Sequence, residues 1–441
     1  MSTSSFRYGG GKFDIRSNFI RFCGWLQNKK VVFLDSDPEA CAQVLASSEV
    51  KGTFIEFLLA TPAWNPIYSI ESVDGELWEQ LAQDCRKVMG LLDWRVRLTP
   101  LVEHHGKLLQ IEVREKTALN PSFVVSAETV SRFTARVMFE LLFEIPLSQK
   151  DESLFYEASL EWRKEIGVKR QGNSEVKKAF WLRLTEVVAA SKYAPELQTY
   201  SDDVGRWVSV FAQPFLISPQ INVSDIMVAV FYFLRREPGL LEQVRSWADA
   251  KDSNRLNAVV MESIRLQHPF PILERELQKD MKIGEQHLTA GTQILLLFDR
   301  FKQDQKFDPD RWLKTSAENI YHNMPYGTGK RMCIGKPIAT ALLADLLGIL
   351  LTQIPDAQVR PQQGHLYSGR NNDGARSSWR ESLYQLKTFM KALWSSFKMG
   401  RRDPSHGGSC PFTGKQRKTA IQASDQSFGF QRKLSPHKVQ Q

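Results

Sequence analysis

The chain has 441 residues, 42% of them apolar and 24% charged, which excludes a disordered, collagenous or disulfide-scaffold protein and leaves ample material for a buried core. Five scattered cysteines (Cys23, Cys41, Cys85, Cys333, Cys410) with no C-x-x-C pair argue against a disulfide framework or a zinc module and for a reducing compartment. The formal charge of +9 is misleading: residues 398–441 hold nine Lys/Arg against Asp403 and Asp425, leaving only +2 for the body, so no nucleic-acid partner is expected.

In chain order, the N-terminus lacks the apolar run of a signal peptide, and no run of ~18 apolar residues occurs. An intracellular protein is expected, cytoplasmic or peripheral on a membrane surface, without a transmembrane anchor. Val31 to Leu34 reads as a strand. Ser174 to Ser191 repeats apolar residues at three-to-four spacing (Val176, Phe180, Leu184, Val187, Val188) and reads as a helix, as do 222–235 and 256–266. Gln293 to Phe298 is a second strand, just after the turn residues Ala290-Gly291-Thr292. Pro337 starts a further helix that continues through Ile338, Leu342, Leu346 and Leu350. Residues 355–380 are loop in composition.

Leu383, Leu386, Phe389, Met390, Leu393, Trp394 and Phe397 then form one apolar face at helical spacing, with Lys387, Lys391 and Lys398 elsewhere. Such a helix either lies on an anionic membrane surface or packs on the body. The 398–441 tail is too poor in apolar residues to offset its ordering entropy and is expected to be disordered. The pattern predicts a mainly α fold with a small β part, one domain over 1–397 and a basic tail over 398–441.

The most informative stretch runs from Met324 to Ile338, MPYGTGKRMCIGKPI. Gly329 and Gly335 flank Cys333, where a chain turning around a bulky group needs positive φ or no side chain. Arg331 supplies a permanent cation for a carboxylate. A cysteine just before a helix N-terminus is biased toward thiolate.

This stretch resembles the haem-binding signature of the cytochrome P-450 family, aromatic-x-x-Gly-x-Arg-x-Cys-x-Gly, with Tyr326, Gly329, Arg331, Cys333 and Gly335 in its places and Tyr where Phe is usual. The resemblance implies the P-450 fold and haem b (iron protoporphyrin IX), with Cys333 as the thiolate ligand of the iron. It places Arg331 and Arg275 on the haem propionates. It also implies a structural triad of Glu262, Arg265 and Arg311, from Glu262-Ser-Ile-Arg265 and Phe307-Asp-Pro-Asp-Arg311-Trp312. Asp74-Gly-Glu-Leu-Trp78 resembles the start of the family's haem-contacting helix. There Ala82 stands where Arg or His is usual, and Arg86, one turn on, is the expected substitute.

Two departures stand out. Counting back from Pro238, Ile221 and Asn222 occupy the places of the family's proton-delivering acid–Thr pair. Asn222 and the run Asn323 to Gly327 resemble the sterol 7α-hydroxylase and prostacyclin synthase branch. A shifted register would assign the relay to Ser224 and Asp225 instead. The family's C-terminal substrate-contacting hairpin is not found after Leu351. The resemblance implies a monooxygenase that inserts one oxygen atom from O2 into a lipophilic substrate, served by an NAD(P)H-dependent reductase or a ferredoxin. The alternatives are an electron-independent peroxide isomerase or lyase, and a haem binder without catalysis.

Overall fold

The computed structural model describes residues 21–22, 24–25, 28–34, 37–47, 51–52, 66–167, 172–195, 204–270, 272–298, 306–354 and 359. The 355–380 loop (apart from Val359), the 383–398 amphipathic segment and the 398–441 tail lie outside the described residues.

A small sheet comes first. β1 (Val31–Leu34) runs parallel to β5 (Gln293–Leu297), and β5 runs antiparallel to β2 (Ile272–Glu276), giving the order β1-β5-β2. The central strand β5 is buried along its whole length, as its unbroken apolar run requires. A separate hairpin joins β3 (Met281–Ile283) to β4 (Gln286–Leu288). Gly284 takes the left-handed turn position there, with φ 55°. Helix α1 (Pro38–Ser47) packs on β3, and its Cys41, Val44 and Leu45 join Ile294 and Leu296 in a compact apolar cluster.

The larger core is helical. It contains α2 (Gly75–Leu91), α3 (Trp94–Leu119), α4 (Ala127–Phe143), α5 (Gln149–Gly167) and α6 (Ser174–Ala189), then the pair α7 (Val204–Phe211) and α8 (Ser218–Arg236), and finally α9 (Leu240–Asp249), α10 (Ser253–Leu266) and α11 (Lys336–Thr352). Ser126 caps α4 by accepting from the Thr129 amide, and Asn173 and Asp252 cap α6 and α10 in the same way. The helix read from Ser174 to Ser191 ends two residues earlier. The expected 256–266 helix starts three residues earlier, at its Asp252 cap.

The expected 222–235 helix is part of a much longer element. α7, a π-helical segment (Ala212–Ile217) and α8 form one 33-residue helix, Val204–Arg236. Pro214 and Pro219 explain the break in register: each lacks an N–H and crowds the carbonyl four residues back. The Ser218 amide donates instead to the Gln213 carbonyl, five residues back. By length and apolar composition this helix would span a bilayer, but most of it is buried. Its α8 half packs against α4, α5, α10 and α11. An aromatic cluster of Phe139, Phe143, Phe155, Trp162, Phe180 and Phe211 fills the space between α4, α5, α6 and α7, with neighbouring rings 4.7–5.7 Å apart. These rings are core.

Candidate functional site

The cysteine loop is held at both ends by its own backbone. The Cys333 amide donates to the Tyr326 carbonyl at 2.9 Å, and the Lys336 amide donates to the Cys333 carbonyl at 3.3 Å, leading into α11. Gly329 meets both expectations for it: its φ is +72°, and a Cβ there would lie 2.8 Å from the Leu45 carbonyl oxygen of α1. Gly335 does not. Its φ is −77°, an ordinary helical value, and a Cβ there would meet only the Cys333 Sγ, at 3.9 Å. Gly327, with φ +68°, is the second left-handed residue of the loop.

Cys333 is accessible to solvent yet closely surrounded by protein, which places its thiol in a recess. Burial, with the nearby Glu71 charge adding to it, pushes the thiol up to about 11; the amides of Gly335 and Lys336 pull the other way and lose. The bias toward thiolate expected from the helix N-terminus is therefore overridden in the free protein. A cation bound to the sulfur would supply what the amides do not. The Tyr326 ring lies beneath the loop, its hydroxyl 3.4 Å from Thr340 Oγ1.

Arg331 turns away from the loop. Its guanidinium lies over the Trp78 ring at 4.5 Å, donates to the Val73 carbonyl at 3.3 Å and pairs with the Asp74 carboxylate. Its Nε is buried without a hydrogen-bond partner. Arg275, on β2, is 5% exposed and donates from Nη1 to the Glu274 carbonyl at 2.8 Å; its Nε is also orphaned. Burial pulls Arg275 down to about 10, against the opposing pull of Glu274. A buried N–H without an acceptor costs on the order of 1–3 kcal/mol. Two buried guanidiniums that each carry one fit a ligand with two carboxylates, as haem has. Cys333 and Arg275 fit that group; Arg331 offers only its Nε, since its Nη groups already meet the Val73 carbonyl and the Asp74 carboxylate. Arg86 is exposed on α2.

Next to the loop lies the charge network built on Glu262. Arg265 donates to both its carboxylate oxygens at 2.8 and 2.7 Å, and Arg311 Nε donates at 3.1 Å. Trp312 Nε1 at 2.8 Å and the Asp308 amide at 3.0 Å complete the set. Glu262 is fully buried and the Tyr321 ring lies against both arginines, at 4.8 and 5.5 Å. The family resemblance gave the three charged residues; Trp312 was visible beside Arg311, but its role needed the fold.

The 204–236 helix contributes the remaining candidates. Ile221 and Asn222 are half-buried just past the π-helical segment. Asp225 is in a buried ion pair: Arg163 of α5 donates to its Oδ1 at 2.7 Å and to the Ile221 carbonyl at 3.0 Å. The Ser224 hydroxyl donates to the same carbonyl at 2.9 Å. Burial raises the Asp225 carboxyl against the pull of Arg163. Both polar groups of the shifted register are thus held by α5 and by the helix backbone. Sequence reasoning had no signal for Arg163, which lies 62 residues upstream.

Residues 239–354, from the start of α9 to the end of α11, match the family model for cytochrome P450. The described chain has the cytochrome P450 fold. A cytochrome P450 from Thermus thermophilus superposes with a TM-score of 0.52 at 17% identity, covering 72% of this chain and 83% of that one. One from zebrafish superposes with a TM-score of 0.57 at 15% identity, covering 73% and 85%. Curated relatives align over part of the chain. The mitochondrial 1,25-dihydroxyvitamin D(3) 24-hydroxylase of Rattus norvegicus is 34% identical over 139 aligned positions, 27% of each chain. The 2-hydroxyisoflavanone synthase of Glycine max is 30% identical over 138, covering 27% of this chain and 26% of the relative. The aligned region thus spans about a quarter of the length of these relatives.

Proposed function

We propose that this protein is a haem-thiolate oxidoreductase, a monooxygenase that inserts one oxygen atom from O2 into a lipophilic substrate. The observation that supports the reading is the cysteine loop, with Cys333 accessible and Gly329 in left-handed backbone against α1, beside two arginines elsewhere in the fold, Arg331 and Arg275, each with a buried, unpartnered Nε. Cys333 would hold the iron of haem b through its sulfur, and the two arginines its propionates. Bound haem supplies the oxygen chemistry. The protein's own residues hold the thiolate, neutralise the propionates and present an apolar helix face with Asn222 as its polar group. The relatives' names fit a lipophilic substrate, and the mitochondrial one fits electron delivery by a ferredoxin as well as by a reductase. Glu262, Arg265 and Arg311 are structural.

A second reading, an electron-independent isomerase or lyase acting on hydroperoxides, draws on the Arg163–Asp225 pair. With Asp225 locked and Ser224 bonded to backbone, Asn222 is a half-buried polar side chain in the middle of the helix, near the buried Gln220, and an amide donates a hydrogen bond but does not titrate near neutral pH. A hydroperoxide already contains the O–O bond and needs no relay. Kinship with the sterol 7α-hydroxylase and prostacyclin synthase branch rests on Asn222 and the 323–327 run alone.

The test has two stages. The ferrous protein with carbon monoxide is expected to show the strongly red-shifted Soret band of a thiolate adduct, lost in Cys333→Ala; an imidazole-type band in the wild type overturns the haem-thiolate reading. Purified protein is then incubated with lipids and lipid hydroperoxides, with and without a reductase system. Reductase-dependent oxygenation supports the first reading and reductase-free hydroperoxide turnover the second. Haem binding without either leaves a binder.

A further inference from the structure

We propose that Ser218 anchors the substrate. Its hydroxyl, held by Gln213, donates a hydrogen bond to a neutral oxygen of a lipophilic ligand, so the substrate class is a ketone, alcohol or ether rather than a plain hydrocarbon. The inference rests on the haem-thiolate reading for the kind of ligand and adds the group that orients it.

The geometry comes from the break in the 204–236 helix. In an α-helix, residues five apart lie about 140° apart around the axis and point to different faces. Residues 212–217 are π-helical, which closes the turn one residue later and brings position i+5 over position i. Gln213 and Ser218 are therefore stacked, and two hydrogen bonds join them. The Ser218 amide donates to the Gln213 carbonyl, and Gln213 Nε2 donates to Ser218 Oγ at 2.8 Å. Gln213 is 1% exposed, so the packing around it fixes its amide.

The three serines of this helix differ in where their hydroxyl protons go. Ser209 donates to the Gly205 carbonyl at 2.6 Å and Ser224 to the Ile221 carbonyl at 2.9 Å, the back-bonding common to serines inside helices. The Ser218 hydroxyl accepts from Gln213 and has no acceptor for its own proton among the described residues. A hydroxyl has one donor and two lone pairs, so the bond from Gln213 occupies a lone pair and leaves the proton for another partner. Ser218 is also on the open face. Pro214, Ser218 and Asn222, each about a turn from the next, are half-buried, as is Ile221, whereas Leu216, Gln220 and Val223 on the other sides of the helix are buried.

A mainly apolar face with one fixed donor selects for an acceptor. A hydrocarbon lying over it leaves the Ser218 proton unpaired; a ketone, alcohol or ether oxygen accepts it. A carboxylate is disfavoured, because the face itself carries no cation and Arg163 is already in an ion pair with Asp225. Ser218 precedes Asn222 by four residues, about 6 Å along the axis. The anchored oxygen is thus held one helical turn from Asn222, and the inference applies to either reaction class.

The experiment uses the purified full-length holoprotein and equilibrium dialysis with two matched pairs of ligands, androstane with androstanone and adamantane with adamantanone. The quantity read is the ratio of ketone affinity to hydrocarbon affinity. Ser218→Ala is expected to lower that ratio by about 3- to 10-fold, the size of one neutral hydrogen bond, with hydrocarbon binding changed by less than about 2-fold. Gln213→Met, which removes the amide that orients the hydroxyl, is expected to lower the ratio in the same direction. Damage to the fold would weaken both members of a pair alike and leave the ratio where it was. A ratio that Ser218→Ala leaves unchanged in both pairs, absence of binding included, overturns the proposal, and a ratio unmoved by Gln213→Met overturns the positioning role of Gln213. The carbon monoxide band of the same samples scores the haem-thiolate reading separately, since dialysis does not depend on the ligand of the iron.

Discussion

Glu262 is a carboxylate on which five donors converge, two of them from one arginine. Removing it leaves Arg265, 2% exposed, without its counter-charge. Glu262→Ala is expected to lower stability by about 3–5 kcal/mol, read as a shift in the urea midpoint at unchanged slope. A loss below ~1 kcal/mol would mean that the network does not hold the fold. The two glycines of the cysteine loop make a contrasting pair. Gly329→Ala forces a side chain into left-handed backbone and against the Leu45 carbonyl, so a loss of at least ~2 kcal/mol is expected. Gly335→Ala meets neither obstacle and is expected to change stability by less than about 1 kcal/mol. The same thermal unfolding series checks both.

His268 carries a pH dependence. It is buried, accepts from the Phe270 amide at 3.0 Å and faces the Pro325 carbonyl at 3.2 Å. Burial depresses it from 6.5 to about 4. Between those values the unfolded chain binds more protons than the folded one, so stability falls as pH is lowered from about 6.5 toward about 4, by roughly 3 kcal/mol in all. Urea titrations at pH 7 and pH 5 should show about 2 kcal/mol of that loss in the wild type and a smaller loss in His268→Gln; equal pH slopes would refute the assignment.

At the scale of elements, the Arg163–Asp225 pair ties α5 to α8 between two side chains only 7% and 8% exposed. Arg163→Met or Asp225→Leu alone is expected to cost about 3–5 kcal/mol by stranding a buried charge, whereas the double change should recover most of that loss. A double-mutant cycle in urea measures it, and additive losses would show that the pair is not coupled. The pair also shows where sequence reading stops. Cys333 was legible because Tyr326, Gly329, Arg331 and Gly335 stand around it in one short motif, and Glu262 and Arg265 because that motif's family resemblance implies a triad with Arg311. The partner of Asp225 lies on another helix, and no local pattern predicts which helices will meet. The π-helical segment was legible in principle, since Pro214 and Pro219 stand inside an apolar helical pattern, but the spacing of apolar residues alone placed the start of the helix at 222. Gly335 is the opposite case: a motif position whose backbone turned out to be ordinary.

At the scale of the whole molecule, the elements that build the site are far apart in the chain. The sheet pairs Val31 with Gln293, Gln110 meets Gln353, and Arg331 lies on Trp78, 253 residues earlier. Such separations slow folding, because loops must close before the contacts that hold them form. They also set a schedule during synthesis. At roughly 5–20 residues per second, a ribosome takes on the order of 10–50 s to travel from Trp78 to Arg331. During that interval α2 to α10 are made one after another, while α11 and the Cys333 loop do not yet exist. The apolar faces that later meet α11 therefore stay uncovered until the last of the described helices has been made.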